Sequence, residues 1–174
     1  MKHLVKFIVV TLLLLFCTNS FAEQKIVVLD LKYILNNSKA GKGAQDFLKK
    51  RFNDNAKKFS EMEKKLKKEE NDLLAQKNAL TKDEYNKKSN DLRKKVIDYQ
   101  SARRTSLDKL ATQRAESRDI LIKKIDPILV DYIKENNIYL IVDKKSTLAG
   151  NPEVDITKII IEKLNKELPS LNLK

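Results

Sequence analysis

The chain is poor in the residues that most often do chemistry. Its 174 residues include one Cys, one His, no Trp, three Gly and three Pro, and aromatic residues make up 6 %. So few turn formers argue against a compact β protein and against a loop-rich enzyme. The lone His3 and Cys17 both fall within the first 22 residues. That stretch reads as a secretory signal peptide. Lys2 and Lys6 form a basic start, Phe7 to Phe16 is an apolar run too short to span a bilayer, and Ser20-Phe21-Ala22 supplies small residues at −3 and −1 of a cleavage site. Phe16 precedes Cys17, where a lipoprotein signal wants a small residue, so lipidation is not expected. Cleavage after Ala22 leaves 152 residues without thiol or imidazole. A Cys/His zinc site, a disulfide, a Cys nucleophile and a His-based triad are thereby excluded. No catalytic residue, metal or cofactor is expected, and the chain is read as a non-enzyme. An all-carboxylate site would pass on composition, but it needs a pocket that long helices do not provide.

What is present is helix. From Ala44 to Asp126 there are 83 residues without Gly or Pro. Lys, Glu, Leu, Ala, Gln and Arg dominate, all good helix formers. Acid-before-base pairs at i,i+4 recur, among them Asp46–Lys50, Glu61–Lys65, Glu84–Lys88, Asp91–Lys95 and Asp119–Lys123. Apolar residues keep a heptad step through Phe52, Phe59, Leu66, Leu73 and Leu80. The second heptad position is weak: Leu48, Asn55, Met62, Glu69, Gln76. Tyr85, Leu92 and Tyr99 repeat at seven, and Val96, Leu107, Leu110 and Leu121 carry on in a changed phase. Such a narrow stripe covers one partner helix. Thr81-Lys82-Asp83-Glu84 fits a capping box at the phase break. It predicts the tip of a long antiparallel hairpin rather than one straight coiled coil.

The flanks read differently. Lys25–Asp30 and Ile138–Asp143 are short β-branched runs and predict buried strands. Asn36 to Gly43 predicts a loop or a loose helix start. Pro127 predicts a kink or break, and Asn136-Asn137 a helix end. Thr147-Leu148-Ala149 suggests a short third strand, and Asp155 a cap for a last helix through Ile156, Ile159, Ile160, Leu164 and Leu168. The fold class is α+β, mainly α: a small β-strand body with a long antiparallel coiled-coil helical hairpin arm. Residues 1–22 are the leader, 23–43 and 126–174 the body, and 44–125 the arm with its tip near 80–83. A body this small with open strand edges calls for oligomerisation, of an order the residues leave open.

Charge is segregated. Between Lys39 and Ile125 there are 25 Lys+Arg against 14 Asp+Glu, net +11, whereas residues 23–38 balance and 126–174 carry −1. Arms meeting something negative fit this better than solubility alone. Arg93, Arg103, Arg104, Arg114 and Arg118 cluster in the second arm, and Arg suits phosphate and carboxylate. For an exported protein lipid head groups are the better anion, and no nucleic acid is expected.

The order of elements, with Lys25–Asp30, Ala102-Arg103-Arg104, Ile138–Asp143 and Asp155-Ile156-Thr157 as the best-matching segments, resembles the Skp (OmpH-like) family of periplasmic chaperones. The resemblance implies a homotrimer whose strands form a shared body, with three arms around a cavity. It implies ATP-independent holding of unfolded outer-membrane β-barrel proteins in the periplasm. It also implies lipopolysaccharide or anionic-lipid binding by Arg103 and Arg104, with Arg93 where a Lys is usual. No client-binding residue is assigned. Two alternatives remain: an adaptor docking a folded envelope partner, and a structural spacer.

Overall fold

The structure, a computed structural model, describes residues 25–173; the leader expected over 1–22 lies outside them. Strand β1 (Lys25–Leu29) is followed by helices α1 (Leu31–Asn37), α2 (Lys39–Ala75) and α3 (Lys82–Glu135), strand β2 (Ile138–Asp143) and helix α4 (Thr157–Glu167). The strands pair in parallel, with Ile26 opposite Leu140 and Val28 opposite Val142. Parallel pairing demands a crossover. Here the crossover is the whole helical hairpin, so the arm is an insertion between two strands that lie side by side.

Antiparallel arms of 37 and 54 residues make α2 about 55 Å and α3 about 80 Å long. The turn at 76–80 reverses the chain, and Thr81 then caps α3. The capping box is complete: Glu84 N donates to Thr81 Oγ1 at 3.3 Å, and Thr81 N donates to Glu84 Oε2 at 3.0 Å. The Thr81 hydroxyl and amide hold the Glu84 carboxyl below its ordinary range. At the other end Asn137 takes a left-handed conformation, φ 52°, as the first residue past the Asn136 C-cap.

Four local expectations change. The stretch 36–43 is helical on both sides of one break at Ser38, not a loop. Ser38 is fully buried, its Oγ accepts from Gly41 N at 3.2 Å, and Lys39 N donates to Asn165 Oδ1 at 2.7 Å. Capping and docking on α4 thus organise a segment whose composition favours turns. Pro127 does not break α3, which runs through it. Leu121, Ile125, Ile128 and Tyr132 are buried on the core side of that stretch, and tertiary packing outweighs the lost backbone bond. No strand forms at 147–149, and Leu148 is fully exposed. Finally, Ile156 rather than Asp155 is the N-cap of α4, while Asp155 Oδ1 accepts from Thr157 N at 2.9 Å.

The core lies between the sheet, α1, α4 and the body end of α3, around Val27, Leu29, Ile34, Ile125, Ile160 and Leu164. Asp155-Ile156-Thr157 locks it to β1. Ile156 N donates to Val28 O at 3.0 Å, and Asp30 N donates to Thr157 Oγ1 at 2.9 Å. Lys144 Nζ reaches Asp155 Oδ2 at 2.6 Å. Partial burial works against the Asp155 charge, but hydrogen bonds from Lys144 and Thr157 outweigh it and lower its pKa. The Lys144 ammonium is raised by the same bond. The strands are apolar on both faces, yet a single chain covers only one. Val27 and Leu29 are buried, whereas Ile26 (49 %), Leu140 (48 %) and Tyr139 (67 %) stay in solvent.

Candidate functional site

The arm surface is where charge and uncovered apolar groups coincide. Its seam is thin. Phe59 and Tyr99 form the buried aromatic contact between arms, edge to face at 6.0 Å and 71°. Toward the tip the weak heptad positions become polar ties. Lys95 Nζ meets Glu69 Oε2 at 2.7 Å, and Lys88 Nζ donates to Gln76 Oε1 at 3.0 Å. Two of the expected i,i+4 pairs are diverted by such bonds. Lys95 leaves Asp91 for the opposite arm, and Glu84 is committed to Thr81. Asp119–Lys123 does close, at 2.7 Å, and the bond raises the Lys123 pKa.

Body-ward of Phe59 the seam opens. Phe52 and Leu107, both on the apolar stripe, are exposed at 54 % and 47 %. With Phe59, Tyr99, Glu63 and Arg103 they line a hollow of about 220 Å³. Arg103 therefore stands beside aromatic surface. Arg104 makes only a long contact with Asp108, 4.0 Å, in full solvent. Arg93 is exposed on the same helix. Eleven residues is about three turns, so Arg93 and Arg104 share one face roughly 16 Å apart, with Arg103 turned about 80° away. The three form a strip, not a single clamp. Ile97 lies on the Arg93–Arg104 face and is 57 % exposed. Sequence reasoning singled out the arginines and missed the exposed apolar residues: Phe52 because a heptad stripe reads as seam throughout, and Leu74 and Ile97 because they lie beside the stripe rather than on it.

Among the described residues no cluster of His, Cys, Asp or Glu could hold a metal ion. No described helix is long and apolar enough to cross a membrane.

Comparison with known proteins agrees with this architecture. Residues 25–164 match the OmpH-like outer membrane protein family. A Skp-like protein of Pseudomonas aeruginosa PAO1 is 25 % identical over 169 residues, covering 95 % of this chain and 99 % of its own. The crystal structure of an OmpH-like outer membrane chaperone from Caulobacter crescentus CB15 shares the fold. Its TM-score is 0.80 at 15 % identity, over 90 % of this chain and 93 % of that one. The family match spans β1 through most of α4, so it takes in both strands, the whole hairpin and the Asp155-Ile156-Thr157 lock. The chain belongs to the OmpH-like outer membrane protein family.

Proposed function

We propose that the protein is an ATP-independent holdase chaperone of the periplasm. It binds unfolded outer-membrane β-barrel proteins between basic helical arms and prevents their aggregation. The observation that carries this reading is the coincidence, on one projecting hairpin, of a net charge of +11 with uncovered Phe52, Leu74, Ile97 and Leu107. An unfolded barrel precursor exposes alternating apolar strands prone to pair with one another. Weak apolar contacts distributed along an arm hold such a chain without selecting a sequence, and several arms add by avidity. The long-range charge steers clients of opposite sign.

The uncovered sheet face supports self-association, and the family resemblance makes a homotrimer its proposed order. Ile26, Leu140 and Tyr139 need covering, and the outer edge of β2, which has no strand partner among the described residues, invites pairing between copies. In that assembly the body, residues 23–43 and 126–174, holds three arms, residues 44–125, around a cavity. Arg93, Arg103 and Arg104 are the proposed contacts for lipopolysaccharide or other anionic lipid head groups. Cleavage after Ala22 delivers the mature chain.

The test is light scattering of a urea-unfolded outer-membrane β-barrel protein diluted with and without the mature chain. The expected outcome is suppression at about one assembly per client, without nucleotide. Unchanged aggregation with a well-folded oligomer would refute the holdase and favour a folded envelope partner. Raising salt slows capture more than it lowers final affinity, read by stopped-flow mixing with labelled client. A capture rate indifferent to salt would remove electrostatic steering from the mechanism.

A further inference from the structure

A second, larger recess lies at the root of the arm, where α1 and the first turns of α2 face α3 and the end of β2. It encloses about 860 Å³, within the roughly 300–1,000 Å³ of ordinary ligand pockets. Its floor is apolar, built on Leu35, Leu48 and Leu121 with Phe52 at one end. Its rim carries five basic side chains and two acidic ones. Lys145 is neutralised by Asp143 at 3.3 Å. Lys32, Lys49, Arg114 and Arg118 then face Asp46 alone. Arg114 and Arg118 are four apart on α3, where like charges repel, and among the described residues neither has an ion-pair partner. Ser117, buried between them, turns its hydroxyl to Gln113 O at 2.6 Å rather than to either guanidinium.

We propose that this groove docks an acidic, apolar-bearing extended segment of the client polypeptide, with Arg114 and Arg118 as its anion-binding pair. Charge complementarity selects the acid. The polar lining selects a peptide over an acyl chain. Asn36, Gln45 and Ser117 interrupt the apolar lining; Gln45 Nε2 donates to Asn36 Oδ1 at 2.6 Å, which leaves Asn36 Nδ2 and Gln45 Oε1 as a donor and an acceptor suited to a backbone amide and wasted on a hydrocarbon tail. The groove reaches Phe52, which also lines the hollow beside Arg103, so a chain anchored at the root can continue along the arm. The inference rests on the holdase reading and adds a place where capture is anchored.

The test is fluorescence anisotropy with a labelled octapeptide alternating apolar residues with Asp, titrated with the mature protein. The expected result is that Arg114→Gln/Arg118→Gln weakens binding about tenfold, the worth of one charge-assisted contact. The charge-matched Lys158→Gln/Lys166→Gln, on exposed body positions, leaves binding as in the parent, and a peptide with Lys for Asp does not bind. Equal affinity of parent and arginine variant would overturn the proposal, as would equal binding of the Lys peptide. So would a variant that loses binding to phosphatidylglycerol vesicles while keeping the peptide, since the groove would then be a lipid site. A changed oligomeric state of the variant in sedimentation would overturn it as well, because the groove would be a subunit contact. Aggregation suppression by the parent is read in parallel. If it persists while the peptide results fail, only the groove assignment falls; if it is absent in the parent, the holdase reading itself falls.

Discussion

Gly41 and Gly43 sit two residues apart in the first turns of α2, and the same substitution at each should have opposite effects. On propensity alone, Gly→Ala in a helix is worth up to about 1 kcal/mol in favour of Ala. At Gly43 nothing lies within 4 Å of the position a Cβ would take, so that gain is realised. At Gly41 the Cβ would overlap the Leu35 carbonyl oxygen and lie 2.9 Å from both the Leu35 carbonyl carbon and Ser38 Oγ. Two of these atoms are backbone, and no side chain can swing away. The α1–α2 elbow has to open, which strains the buried Ser38 cap and the Lys39–Asn165 bond together. Overpacking of this kind costs about 1–3 kcal/mol, and loss of an N-cap about 1 kcal/mol more.

The steric cost therefore exceeds the propensity gain, and Gly41→Ala should destabilise by about 2 kcal/mol net. For a chain of this size that lowers Tm by about 4–8 °C, whereas Gly43→Ala raises it by about 1–3 °C. Circular dichroism melts of both variants at one protein concentration decide the matter, because assembly makes Tm concentration-dependent. A Gly41→Ala protein as stable as the parent would refute the elbow geometry. A destabilised Gly43→Ala would show that the two glycines share a role that packing does not distinguish.

Three further outcomes are expected. The Asp155 pKa is lowered in the fold, so the stability it contributes is complete above its ordinary value of 3.8 and is lost as pH falls through the lower folded value; urea melts of Asp155→Asn and parent should converge at acid pH and separate above it. Thr81→Ala removes the capping box, so tip amides around residues 84–86 should exchange hydrogen about fivefold faster while the global Tm barely moves, and the Glu84 pKa should return to its ordinary range by NMR titration. Ile97→Ser changes an exposed residue, so stability should stay within about 0.5 kcal/mol, while suppression of client aggregation weakens measurably in the scattering assay.

Much of this architecture was legible because long-range order here follows from local signals. The Gly- and Pro-free run, the Thr81-x-x-Glu84 box and the two β-branched runs each specify their own element. The hairpin then has little choice but to bring the strands together. What was not legible depended on contacts far apart in sequence. Helix at 36–43 needs Asn165, and continuity through Pro127 needs the core packed on Ile125 and Ile128. The exposure of Phe52 and Leu107 depends on the hollow left between the two arms there, which a one-dimensional repeat cannot register. The arginines were visible as residues; their arrangement as a strip about three turns long was a matter of helix phase.

The same thin seam accounts for both the persistence of the arms and their capacity to hold a client. A hairpin closed by a full apolar seam would bury every heptad residue and leave nothing for another chain. Here the distal register is held by Glu69–Lys95 and Gln76–Lys88. Polar ties of this kind contribute little free energy in solvent, but they specify which residues face each other. The helicity of α2 and α3 draws instead on their helix-forming composition, which needs no burial. Apolar residues are thereby released from structural duty. Leu74, Ile97, Phe52 and Leu107 stay exposed without the arm losing its form, and the basic field around them keeps copies of the arm from associating with one another. A surface that repels its own kind and still offers apolar contacts is suited to an unfolded chain of the opposite charge.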